Sequence, residues 1–231
     1  VLMLCSHQMP ASSSAGMIAK YLATSFAIEN VVSAPRVTSI CLPTSTTSIS
    51  FVGPEDGVSH QAPMPEAPDP ETCKPWWVTI AEPRMAAASA AVTSRMARRW
   101  NNPVDLRAAA QPTREDDGSG RLPARMVWGR MMAALPPDPL IHAAAMVFLS
   151  DSGLVATVAH HYGIWMPGGS SASLDHTMWF HRPPSFDDWI LYVSESPAAH
   201  SARGLIIAGM YNRKGERVAS VAQEGLFRKP K

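Results

Sequence analysis

Asp151 stands just beyond an almost wholly apolar run, residues 140–149, whose one polar member is His142. At helical offsets Leu140, Ala144, Val147 and Asp151 fall on one stripe. The carboxylate is then drawn toward a partly dry place, a costly position unless it is bonded or used. Two readings stay open on the residues alone. Asp151 is a perturbed acid at a site, or the helix stops at Ser150 and Asp151 is a solvated loop residue, which Gly153 allows. Asp175 and His176 are adjacent, so on a strand they point to opposite faces and cannot form a dyad; both read as structural polar groups. The pair His160 and His161 has no third ligand at metal spacing. No GxSxG elbow exists, which argues against a serine hydrolase. Cys5, Cys41 and Cys73 are too scattered for a disulfide framework or a CxxC site and read as free thiols.

The elements that must position these groups can be read around them. Pro136 and Pro137 break the chain. Asp138 then offers an N-cap side chain and Pro139 a first helical residue. A helix apolar all round is a buried helix. Residues 171–189, SASLDHTMWFHRPPSFDDW, alternate as a half-buried strand. Leu174, His176, Met178 and Phe180 take one side; Ser173, Asp175, Thr177, Trp179 and His181 take the other. Pro183 and Pro184 end it. Further strands are expected at 103–107, 124–134, 189–196, 203–211 and 217–227, the last two joined by a turn at Asn212, Arg213, Lys214 and Gly215. From residue 101 the order is therefore strand, strand, buried helix, four strands.

The first part of the chain is different. Residues 1–47 show no sustained period and carry only Lys20, Glu29 and Arg36 as charges, a Ser-rich and acidic-poor composition faintly like a transit peptide but without its arginines. A short strand at 49–52 leads into a connector dense in proline, which favours extended chain over packed structure. Residues 85–99 have helix-forming composition, and 111–120 form a polar loop. The reading divides the chain into 1–71, a linker at 72–100, and 101–231. A net charge of +1 provides no basic field for nucleic acid. No run of eighteen apolar residues marks a membrane span.

Two passages resemble a known family. Asp175–Pro183 reads DHTMWFHRP, similar to the DHxMWFHRP strand of the type II acyl-CoA thioesterases. Ser50, Phe51, Pro54, Glu55, Gly57, His60, Gln61, Met64, Pro65, Ala67 and Pro68 match that family's SFxxPExGxxHQxxMPxAPxP connector. The resemblance implies an α+β hot-dog fold, an antiparallel sheet wrapped around a central helix. It implies a double hot-dog whose first module, 1–71, is incomplete because the residues before 48 do not match.

The resemblance also implies a site: Asp151 as general base, with Ser173 and Gln223 holding the water or the carbonyl oxygen. These residues lie in the matching passages FLSD, SLDH and VAQEGLF. A thioester is already activated, so an oriented water, a carboxylate and hydrogen-bond donors suffice. No metal or cofactor is implied. Read without the family, Ser173 is a strand residue paired across a sheet and Gln223 a polar edge residue. Arg182 and Arg203, with Lys214 and Arg228, are candidates to hold coenzyme phosphates, although any one of them can be plain surface charge. The expected partners are an acyl-CoA substrate and further copies of the chain through hot-dog sheets, with neither nucleic acid nor membrane. The expected location is the cytoplasm. Peroxisomes are the family's alternative, but Arg228, Lys229, Pro230 and Lys231 are not a Ser-Lys-Leu address. Two rival readings remain: a hot-dog remnant that binds without turnover, and an enoyl-CoA hydratase. The hydratase ranks last because His142 is the only helix histidine.

Overall fold

The computed structural model describes residues 37–42, 45–50, 57–76, 103–110, 124–159, 162 and 170–228, of which 37–42, 45–50 and 110 are described by backbone alone. The strands are β1 (Val37–Leu42), β2 (Ser45–Ser50), β3 (Val104–Ala110), β4 (Arg125–Met131), β5 (Ser170–Ser173), β6 (Asp175–Phe180), β7 (Ile190–His200), β8 (Arg203–Asn212) and β9 (Arg217–Arg228). They form one sheet in the order β1-β2-β6-β9-β8-β7-β4-β3, with β5 also paired to β9. Every pairing is antiparallel except β2 with β6. The strand expected at 49–52 is found slightly earlier, as β2. The helix expected at 85–99, the loop at 111–120 and the pair His160 and His161 lie outside the described residues.

The central helix, α1 (Pro139–Asp151), begins as its residues dictate. Asp138 caps it by accepting from the Leu140 N–H at 2.9 Å, and Pro139 takes the first turn, where its missing donor costs nothing. Met146 and Leu149 are fully buried, and together with Met178, Ile206, Met210 and Val221 they make the main core between α1 and the sheet. Gly129 on β4 lets the helix come close, since a methyl there would lie 2.6 Å from Leu149 Cδ1. A short helix, α2 (Ala156–Ala159), follows and is also buried. The stretch Pro139–Ala159 is long and apolar enough to cross a membrane by length and composition, but it is mostly buried under the sheet, as a core helix is. Leu140, at the open end of the expected stripe, is half exposed.

The other face of the sheet is covered too. Along β7, Ile190 and Tyr192 face α1, while Leu191 joins Trp128, Trp189, Tyr211 and Cys73 in a second apolar cluster. Burial on both faces explains why β7 opens as a continuous apolar run rather than alternating. The cover is the proline-dense connector, residues 57–76. It runs without regular structure apart from one 3-10 turn at Pro70–Thr72, and Met64 and Ala67 pack onto this cluster, which corrects the expectation of a merely spanning segment. Trp128 Nε1 donates to the Pro68 carbonyl at 2.9 Å and Trp189 Nε1 to Glu71 Oε1 at 3.1 Å. Gln61 holds the β8–β9 turn with both ends of its amide, donating to the Gly215 carbonyl and accepting from the Arg217 N–H. That turn needs Gly215 at φ +80, and Asn212 Oδ1 accepts from the N–H groups of Lys214 and Glu216 within it.

Candidate active site

Asp151 is the last residue of α1, not a loop residue. It is half buried, and the chain leaves the helix through Ser152 and Gly153, the latter at φ +78. A carboxylate here faces the negative end of the helix dipole, a placement that stability alone disfavours. Its neighbour Ser150 is fully buried, and the Ser150 carbonyl accepts from the Tyr192 hydroxyl at 2.8 Å. Burial holds the Tyr192 phenol well above its ordinary range; the Arg125 guanidinium opposes that rise and the Asp151 carboxylate adds to it.

Gln223 on β9 is 1% exposed and aims at the helix. Its Nε2 donates to Ser173 Oγ at 2.5 Å. Its Oε1 lies 2.7 Å from His176 Nδ1, and His176 Nε2 lies 2.8 Å from Ser150 Oγ. One unbroken hydrogen-bonded line therefore runs from Ser173 through Gln223 and His176 to Ser150, the residue before Asp151. No hydrogen bond joins Asp151 directly to Ser173 or Gln223; the connection passes through Ser150 and the end of the helix.

The placement of Ser173 corrects the simple alternation read from the sequence. The passage is two strands, not one, broken at Leu174. Ser173 pairs with Gly225 and Thr177 with Ala222, so the β5–β6 side spends four steps where β9 spends three. The extra residue is a β-bulge. It turns Ser173 onto the face of His176, where strict alternation would have opposed them. Asp175 holds the bulge, because its Oδ1 accepts from the Glu224 N–H at 2.6 Å while Leu174 N–H donates to the Glu224 carbonyl. Asp175 and His176 do point to opposite faces, the first exposed and the second 2% exposed. Sequence reasoning set His176 aside as merely structural and did not single out Ser150. The signals were there: a histidine on the inward side of the strand, and a serine in the last turn of an apolar helix.

Beside this line sits Arg125, whose guanidinium lies 5.2 Å from the centroid of the Trp76 ring. It is fully buried, neither terminal nitrogen has a hydrogen-bond partner, and burial brings its pKa down to about 10, with Tyr192 opposing. Even so it carries its charge at neutral pH and sets a fixed positive potential near the end of α1.

The other candidates are placed elsewhere. Arg182 Nη1 donates to the Arg217 carbonyl at 2.6 Å and its Nε lies 3.7 Å from Glu216. Arg203 is exposed and lies 3.9 Å from Glu224. They sit near opposite ends of β9, beside Arg217 and Leu226 respectively, roughly 30 Å apart at the strand rise of about 3.3 Å per residue. They do not form one phosphate cluster. Arg182 and Lys214 instead line a surface cleft with Asp187, Asp188 and Arg213, away from Asp151. His142 is held at the start of α1: its Nδ1 accepts from the Phe186 N–H at 3.0 Å, and it lies about 13 Å along the helix axis from Asp151. It is a fastener for the loop after β6, which removes the support for the hydratase reading.

Comparison with known proteins bears on the family and the fold. A family model described as acyl-CoA thioesterase matches residues 101–226. Acyl-CoA thioesterase 2 of Haemophilus influenzae is 29% identical over 190 residues, which is 78% of this chain and 62% of that protein. Acyl-coenzyme A thioesterase 8 of Mus musculus is 29% identical over 176 residues, 74% of this chain and 54% of its own. This chain thus spans little more than half the length of these relatives. Among solved structures, the acyl-CoA thioesterase II TesB2 from Mycobacterium marinum superposes with a TM-score of 0.64 at 27% identity, covering 89% of this chain and 73% of that one. A hot-dog protein from Alicyclobacillus acidocaldarius, at 15% identity and a TM-score of 0.58, shares the fold alone. With a curled antiparallel sheet around one buried helix and a family match over more than half its residues, the chain belongs to the acyl-CoA thioesterase family.

Proposed function

We propose that this chain hydrolyses fatty acyl-CoA thioesters, with Asp151, Ser173 and Gln223 as its catalytic residues. The observation that carries the reading is the hydrogen-bonded line that brings Ser173 and Gln223 from two strands to the end of the helix bearing Asp151. The Asp151 carboxylate takes a proton from water as the water oxygen bonds to the thioester carbonyl carbon. The Gln223 amide and the Ser173 hydroxyl supply donors to the water and to the developing oxyanion. Collapse breaks the carbon–sulfur bond, and the proton held on Asp151 returns to the leaving thiolate. Fatty acid and coenzyme A thiol are the products.

A second element of the proposal is self-association through the sheet. Trp179, Leu205 and Ile207 are each about two-fifths exposed on the outer side of β6 and β8, beyond the part the connector covers. Such a patch favours burial against another copy.

The test is release of coenzyme A thiol, followed with a thiol-reactive dye over acyl-CoA substrates of graded chain length. Asp151→Asn lowers kcat by about 10²–10⁴-fold while the thermal melt stays close to that of the unaltered chain. Wild-type rates in Asp151→Asn, Ser173→Ala and Gln223→Ala alike would remove the site.

A further inference from the structure

His176 has no role in the chemistry above, yet it is the middle of the line. Both its ring nitrogens are engaged, Nδ1 with Gln223 Oε1 and Nε2 with Ser150 Oγ, and Ser150, His176 and Gln223 are all within 2% of complete burial. Each link needs one hydrogen and one lone pair, so the line can be counted. Gln223 Oε1 only accepts, so Nδ1 must carry a proton. If Nε2 carried one as well, the ring would be a buried cation, and neither of its partners is an anion to offset it. Nε2 is therefore bare and accepts the Ser150 O–H. Ser150 Oγ also lies 2.7 Å from the Val147 carbonyl. In a helix that carbonyl already receives the N–H four residues on, so Ser150 can turn its hydrogen to His176 with little loss.

The opposite tautomer has an opposite consequence. With the proton on Nε2, Ser150 donates to Val147, the bare Nδ1 demands a donor, and the Gln223 amide must reverse. Its carbonyl, not its NH2, would then face Ser173. The tautomer of one buried ring thus decides whether the catalytic amide presents a donor or an acceptor to the reacting atoms.

We infer that His176, as its Nδ1–H tautomer, is a positioning residue that holds the Gln223 carboxamide with its NH2 toward Ser173. This rests on the hydrolase reading for its effect on rate, but not for the tautomer itself. Two measurements on the full chain test it separately. In a histidine ¹⁵N-labelled sample, long-range ¹⁵N–¹H correlation assigns each ring nitrogen as protonated or bare; Nδ1 of His176 is expected protonated and Nε2 bare. In kinetics, His176→Leu is expected to lower kcat by about 10²-fold with KM changed little. His176→Asn, whose Nδ2–H can donate near the place of Nδ1, should recover most of that loss. A protonated Nε2 beside a bare Nδ1 would overturn the proposal. So would an unchanged kcat in folded His176→Leu, or an asparagine variant as impaired as the leucine one. If His176→Leu does not fold, the ring assignment in the unaltered chain decides. If the unaltered chain releases no thiol, the hydrolase reading fails while the ring assignment still decides the tautomer.

Discussion

The two faces of the β7–β8–β9 region are both covered, but by opposite means. On the inner face α1 contributes Met146 and Leu149 to a dense apolar core, through which passes one polar line with every partner inside the protein. On the outer face the connector contributes little apolar bulk and is held by separate hydrogen bonds, those at Pro68 and Glu71 partly buried and that at Gln61 open to water. The inner cover is packing that encloses hydrogen bonds; the outer cover is hydrogen bonds that fasten a strap. Loss inside is therefore shared by the whole fold, while loss outside stays local.

Substitutions that separate these cases should differ in kind as well as size. Leu149→Ala empties part of the inner core at a residue with no exposure, and is expected to cost about 2–5 kcal/mol in denaturant unfolding. If it costs less than the outer-face changes, the contrast is wrong. Trp128→Phe keeps a ring in the outer cluster but removes the donor to the Pro68 carbonyl. It is expected to cost about 1–2 kcal/mol and to make residues 57–69 more readily cleaved by protease, with kcat unchanged. Gln61→Ala removes two exposed hydrogen bonds from the β8–β9 turn, and should cost less than about 1 kcal/mol. Faster exchange of the Arg217 amide hydrogen would report it, and a global loss of stability would contradict a local role.

Much of the fold was legible because its causes are local. Asp138 and Pro139 mark the start of α1, a run without charges marks it as buried, and a glycine-containing turn marks the β8–β9 hairpin. The β7–β8 hairpin was not read as such. Its turn places Ser201 and Ala202 at φ 50 and 61, and neither residue is the glycine or asparagine that such angles favour. The packing of the connector was missed for a related reason: prolines declare an extended backbone, but not what lies beneath it. At the site, Asp151, Ser173 and Gln223 were named by resemblance. The residues alone left Asp151 open and placed Ser173 on the wrong side of its strand. What alternation cannot show is an extra residue in one strand, since that is a property of pairing with β9 and not of the strand itself.

The bulge at Leu174 has an implication for how this sequence can change. Leu174 is itself partly exposed and contributes no group to the line, so its identity is free to vary. Its presence is not. Deleting one residue between Ser173 and His176 would restore even pairing and send the serine outward, leaving every side chain of the proposed site in the gene and the arrangement lost. Tolerance here is a matter of spacing: exchanges at position 174 should be accepted where a single-codon loss is not.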